Sequence, residues 1–206
     1  MKNLKNSYLT LLAIGLVSLS ACDKKEDTAT PAPTVLEIKT IADLDGSKTT
    51  GNGGTYFSLS TGLEVKGADT LTNKWDIKFT RSSILVNSGT SGGGSTQAQV
   101  VNGVFENLST APTDGYKADA AGTPATAGWY TYTGPGVPPH AILVVPGKIV
   151  VLKTAENKYA KLEMLSYYKG NPNPTSAAFT DMATRTPSRY YTFRYVLQPN
   201  GSTKLN

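Results

Sequence analysis

The chain has 206 residues, 39% of them hydrophobic and only 17% charged, with 20 glycines and 12 prolines. That length suits one all-β domain with a tail, and the composition favours strands and turns over long helices. The formal charge of +5 falls to 18 basic against 15 acidic residues once the first twenty-one residues, with Lys2 and Lys5, are set aside. So small and scattered a surplus argues against a nucleic-acid partner.

Residues 1–21 read as a signal peptide: Lys2 and Lys5 precede the apolar run Tyr8 to Leu19, which is too short to span a membrane comfortably. Leu19-Ser20-Ala21-Cys22 then matches a bacterial lipobox, in which the cysteine sulfur receives diacylglycerol. Cys22 is the only cysteine, so a disulfide within the chain and a cysteine-rich metal site are excluded. Acyl chains at about 0.8 kcal/mol per buried methylene would anchor the mature protein rather than span it. Residues 22–34, polar and proline-containing, read as a tether.

The folded domain is expected over residues 35–206. Val35-Leu36-Glu37-Ile38 reads as its first strand, Asp45 to Gly54 as a loop, and Thr55 to Leu59 as the second strand. Trp75, Ile77 and Phe79 alternate with Asp76, Lys78 and Thr80, the period of a strand with one buried face. Ile84-Leu85-Val86 runs into Asn87-Ser88-Gly89-Thr90-Ser91-Gly92-Gly93-Gly94. Ser95-Thr96-Gln97 follows where a phosphate loop needs Lys-Ser/Thr, so the glycines read as a connection between strands. Gln99 to Phe105 follows, then Ser109 to Ala127, poor in bulky apolar residues and read as a long surface excursion.

Gly128 to Thr133 resumes strand alternation. Ala141 to Val145, Lys148 to Thr154 and Tyr159 to Tyr168 read as a three-strand meander turning at Pro146-Gly147 and at Ala155 to Lys158. The first two strands suggest burial on both faces. In the third, Ala160, Leu162 and Met164 share the dry face, and Lys161 and Glu163 the wet one. Asn171-Pro172-Asn173-Pro174 breaks the sheet, Ser176 to Met182 reads as one short helix capped by Thr175, and Tyr191, Phe193, Tyr195 and Leu197 give the last strand.

Trp75-Asp76-Ile77 with Phe79, and Asn87-Ser88-Gly89-Thr90-Ser91-Gly92, resemble the signature of the HmuY family, surface lipoproteins of the Bacteroidetes lineage. The Thr55 to Leu59 segment with Thr61-Gly62, and the aromatic strand entering a Gly-Pro turn at Gly134-Pro135, are similar too. The resemblance runs from about Tyr56 to Val196 and implies a single antiparallel β-sandwich or barrel-like domain. Some members scavenge haem, so it also implies haem or iron acquisition, with a TonB-dependent outer-membrane receptor as partner. Lys25-Glu26-Asp27 resembles the acidic signal that exports such lipoproteins to the outer face of the outer membrane; it also reads as a solubilising charge run.

With one histidine, His140, and no cysteine after Cys22, neither a serine triad nor a three-histidine zinc site can be assembled. Asp114, Asp119, Glu163 and Asp181 have no spacing that brings two together, and an enzyme is not expected. A haem site needs only one or two ligands over an apolar cleft. His140 at a strand mouth is the first candidate iron ligand and Met182 the second, while Met164 has the phase of a core residue. In haem-binding relatives one ligand follows the aromatic strand, at a position that falls near Gly134 here and carries no ligand, and the other precedes it, in a loop that here holds neither His nor Met. The other reading is a binding module for another nutrient or a glycan, contacting it through exposed tyrosines and Ser109 to Ala127.

Overall fold

The computed structural model describes residues 35–48 and 53–206. The signal peptide, Cys22, the tether and Lys25-Glu26-Asp27 lie outside the described residues. Three antiparallel sheets make up the domain. The largest has the order β1 (Lys39–Asp45), β11 (Ser188–Gln198), β10 (Tyr159–Tyr168), β9 (Lys148–Lys153), β6 (Gln97–Asn102). The second has the order β3 (Leu63–Val65), β2 (Thr55–Ser58), β4 (Ile77–Thr80), β5 (Ser83–Val86), and the third is a ribbon of β7 (Tyr130–Tyr132) and β8 (Ile142–Val144). The fold is the expected all-β one, and the pairing among the described residues closes no barrel.

Alternation in the last strand sets the core. Tyr191, Phe193 and Tyr195 all point inward from β11 and are fully buried. Across the sandwich, Phe57 of β2 meets Phe193 edge-on at 5.5 Å between ring centroids, and Phe79 of β4 stacks on Phe193 at 5.0 Å. Aromatic pairs in these geometries add about 0.5–1.5 kcal/mol beyond the area they bury. On β9 the two faces serve two cores: Val150 and Leu152 join the main cluster, Ile149 and Val151 a second one with Phe105, Ala111, Val196 and Leu205. Burial on both faces, read from the apolar runs of two strands, holds for β9, whereas β8 is half-buried throughout.

Several expectations are corrected. Val35 to Ile38 is not a strand; β1 begins at Lys39, because Lys39 is the residue that registers with Tyr195, and Val35 and Ile38 stay exposed. The β4 face bearing Asp76 and Lys78 is covered as well, each residue being buried. The meander breaks at Pro146-Gly147: β9 pairs with β10 and β6, whereas β8 pairs with β7. The Lys161 face of β10 is not wet, because Phe105 and Leu108 fold over it and their carbonyls accept from Lys161 Nζ at 2.8 and 2.9 Å. The helix is a single turn, α1 (Ala177–Thr180), capped by Ser176, whose hydroxyl accepts from Phe179 N; Thr175 bonds Asn173 instead.

The signature stretch forms a cradle. Asn87 Nδ2 donates to the carbonyls of Thr72 and Trp75, both at 3.0 Å, and its Oδ1 accepts from Gly94 N at 3.1 Å. Asp76 accepts from Leu59 N at 2.8 Å. A Cβ on Gly92 would strike Asn87 Oδ1, and one on Gly89, which holds φ +59, would strike the Asp119 carbonyl. Asp119 in turn accepts from Val86 N at 2.8 Å and Ala125 N at 2.7 Å. Thus the Ser109 to Ala127 excursion is tied down, with Ala111, Asp119 and Thr126 buried.

Candidate functional site

β7 and β8 are joined by Thr133 to Ala141, a turn that closes on its own hydrogen bonds. Thr133 Oγ1 donates to Pro138 O at 2.6 Å, Ala141 N donates to Thr133 Oγ1 at 2.8 Å, and His140 N donates to Gly134 O at 2.6 Å. The turn brings its last residues back beside β7. His140, at φ +49 and exposed, sits with Nδ1 2.6 Å from the Tyr132 hydroxyl.

Met182 lies just past α1 and is 59% exposed. Arg185 connects its loop to the ribbon turn: Nε donates to Phe179 O at 2.7 Å, Nη1 reaches His140 O at 3.5 Å, and the guanidinium covers the Phe179 ring at 4.8 Å. Its Nη2 is buried and has no hydrogen-bond partner among the described residues. Such an orphaned donor costs about 1–3 kcal/mol and more for a charged group, so an acceptor arriving there is favoured.

A cavity of about 370 Å³ opens where β8, β10 and α1 meet. Ile142 and Val144 of β8, Met164, Tyr167 and Tyr168 of β10, and Phe179 of α1 supply its apolar and aromatic wall. Neither candidate ligand belongs to the wall: His140 is two residues before Ile142 in the chain, and Met182 three after Phe179. β10 carries register shifts on both sides of Ser166, which place the consecutive Tyr167 and Tyr168 in the main core together. The Tyr168 hydroxyl accepts from Ile142 N at 3.1 Å and so holds the ribbon over β10. Met164 is buried in the core, as its phase predicted.

Of the carboxylates named above, Asp119, Glu163 and Asp181 are occupied structurally. Arg194 bonds Glu163 at 2.6 Å and Glu106 at 2.6 Å, and Asp181 accepts from Ala183 N at 2.9 Å. Burial pushes Asp76 up to about 6, opposed by the bond from Leu59 N. Among the described residues no group of three or more His, Cys, Asp and Glu could hold a metal ion. A separate polar cleft of about 400 Å³ lies at the glycine loop, lined among others by Ser95, Gln97, Lys153, Thr154 and Asn157.

Sequence reasoning missed Tyr132 and Arg185 as neighbours of His140. Tyr132 was within reach, since eight residues spanning Gly-Pro-Gly and Pro-Pro must fold back to leave two strands in register. Arg185 left no signal, because only the packing of α1 brings it there.

No protein-family model matches the chain, and no curated protein matches it. Among solved structures, the apo HmuY analog of Tannerella forsythia is 16% identical, with a TM-score of 0.52 over 81% of this chain and 97% of that one. Apo PinO of Porphyromonas gingivitis is 13% identical, with a TM-score of 0.49 over 80% and 97%. A protein described as an HmuY-like heme-binding protein of Bacteroides vulgatus is 14% identical, with a TM-score of 0.46 over 78% and 91%. The chain therefore has the HmuY-like fold that its signature stretches implied.

Proposed function

We propose that the protein is a non-enzymatic surface lipoprotein that captures haem, or a closely related flat apolar ligand, where β8, β10 and α1 meet. The observation that carries this reading is the aromatic-walled cavity formed by β8, β10 and α1, with the candidate iron ligands His140 and Met182 in the segments that precede β8 and follow α1. Its volume of about 370 Å³ lies in the ordinary range of ligand pockets. Imidazole and thioether are donors haem iron accepts. Haem is the cargo here, to be passed to a TonB-dependent outer-membrane receptor.

The lipobox supports anchoring through Cys22, and the outer face of the outer membrane is the address that Lys25-Glu26-Asp27 supports. Labelling cells with a tagged palmitate tests the anchor, which requires Cys22→Ser to carry no label.

Metal-free protoporphyrin IX tests the cavity without the iron. Trp129 packs on Tyr167 at 6.3 Å between centroids, so porphyrin entering the cavity quenches its fluorescence, and Ile142→Trp, which fills the cavity, weakens binding. Equal binding by both proteins would place the ligand elsewhere. A second reading rests on the polar cleft at the glycine loop, whose hydroxyl and amide lining suits a sugar. Saturable binding of a glycan that Lys153→Ala and Asn157→Ala remove would favour it.

A further inference from the structure

The polar cleft at the glycine loop is a separate place from the aromatic-walled cavity. Its wall includes Ser95 of the loop, Gln97 of β6, Lys153 at the end of β9, and Thr154 and Asn157 of the turn that follows. The two walls share no residue: the cavity uses β10 from Glu163 onward, whereas Lys153 registers with Tyr159, the first residue of that strand. Gln97 and Lys153 are direct partners across the antiparallel pair β6–β9, so their side chains emerge together on one face. The turn closes on itself, with Asn157 N donating to Thr154 O at 3.0 Å and Thr154 N donating to Lys158 O at 2.8 Å. On the loop side, Asn87 accepts from Gly94 N through Oδ1 at 3.1 Å and from Thr96 N through its carbonyl at 3.2 Å. The frame of the cleft is therefore set by internal hydrogen bonds before any ligand arrives.

No carboxylate lines this cleft. Glu156, in the same turn, pairs with Lys158 Nζ at 3.6 Å, and the Asp119 carboxylate accepts from Val86 N and Ala125 N. Lys153 Nζ and the side-chain amides of Gln97 and Asn157 have no hydrogen-bond or ion-pair partner among the described residues. An ammonium only donates, which suits an anion, while an amide both donates and accepts, which suits hydroxyls that do the same. We propose that the cleft binds an acidic sugar, a hexuronate, with its carboxylate on Lys153 and its ring hydroxyls on Gln97 and Asn157. This rests on the glycan reading of the cleft, names the class of sugar, and is independent of the haem reading. The cleft volume of about 400 Å³ admits a sugar ring.

The purified, isotope-labelled protein is titrated with D-glucuronate, D-glucose and inorganic phosphate while its amide resonances are followed by NMR. Glucuronate is expected to shift Gln97, Lys153 and Asn157 saturably and to bind about tenfold more tightly than glucose, as a charge-assisted hydrogen bond does over a neutral one. Lys153→Met keeps the length of the side chain and deletes its charge, and it brings glucuronate down to the level of glucose. Added salt does the same to the wild type without a substitution, weakening glucuronate and leaving glucose unchanged. Glucuronate no tighter than glucose would overturn the acidic assignment and leave the glycan reading standing. Phosphate binding as tightly as glucuronate would overturn the sugar. Absence of shifts at the cleft with every probe would overturn both the acidic assignment and the glycan reading.

Discussion

The cradle around Asn87 and the rim around His140 solve opposite problems. In the cradle, Asn87 uses both ends of its amide, Asp76 and Asp119 accept backbone N–H groups, and Ser88 and Thr126 donate to the carbonyls of Thr96 and Ile84. Apart from the buried Thr96 hydroxyl, which has no partner among the described residues, these polar groups are satisfied from within, as a buried network needs in order to fix one geometry. At the rim, His140, Tyr132 and Met182 face solvent, and Arg185 keeps one N–H without a partner. The stretch that carries the family likeness is thus a scaffold, and the free valences lie elsewhere in the chain, at the β7–β8 turn and just past α1. Motif strength and chemical availability are separate properties of this chain.

This contrast can be broken at either end, and the largest effects belong to the interior. Phe193→Ala, at the centre of the aromatic stack, is expected to lose about 4 kcal/mol in denaturant unfolding. A loss below about 1 kcal/mol would mean that the two sheets do not depend on this contact. Asn87→Ala removes three hydrogen bonds, one buried and two part-buried, and leaves their partners unpaired, for a loss of about 3 kcal/mol. If haemin binding survives in that variant wherever it remains folded, cradle and rim are independent.

Asp76 sharpens the same point through pH. Its folded pKa of about 6 stands above the ordinary 3.8, so folding favours the protonated carboxyl. Its contribution is full below pH 3.8 and is lost as pH rises through about 6, a change on the order of 2–3 kcal/mol. Asp45 is shifted the other way by its bond with Ser47, so the difference between wild type and Asp76→Asn is the quantity to measure. Denaturant midpoints of the two proteins should diverge between pH 4 and 6, with the variant relatively more stable at the higher pH; parallel curves would remove the burial argument. The smallest effects belong to the rim: His140→Ala and Met182→Ala should each change stability by less than about 0.5 kcal/mol in the same assay.

The parts legible in the sequence were those whose periodicity faces a core. Tyr191, Phe193 and Tyr195 announced the inward face of β11, and the apolar run of β9 announced burial on both sides. Val35-Leu36-Glu37-Ile38 is as apolar as a strand needs, yet Val35 and Ile38 stay exposed, because an edge strand starts where its partner's register allows. Pro146-Gly147 looked like a hairpin turn, but it carries the chain from the ribbon into another sheet. Lys161 looked solvated because nothing local says that Phe105 and Leu108 will cover it. At the site, residue type alone picked out His140 and Met182. The cavity comes from β8, β10 and α1, elements whose adjacency no local pattern encodes.

The most direct test of the account is the Soret absorbance of the purified protein titrated with haemin, beside a His140→Ala, Met182→Ala double variant that melts at the wild-type temperature. The account predicts a saturable shift at one haemin per chain in the wild type and its loss in the variant. The same shift in both proteins, or none in either, would contradict it.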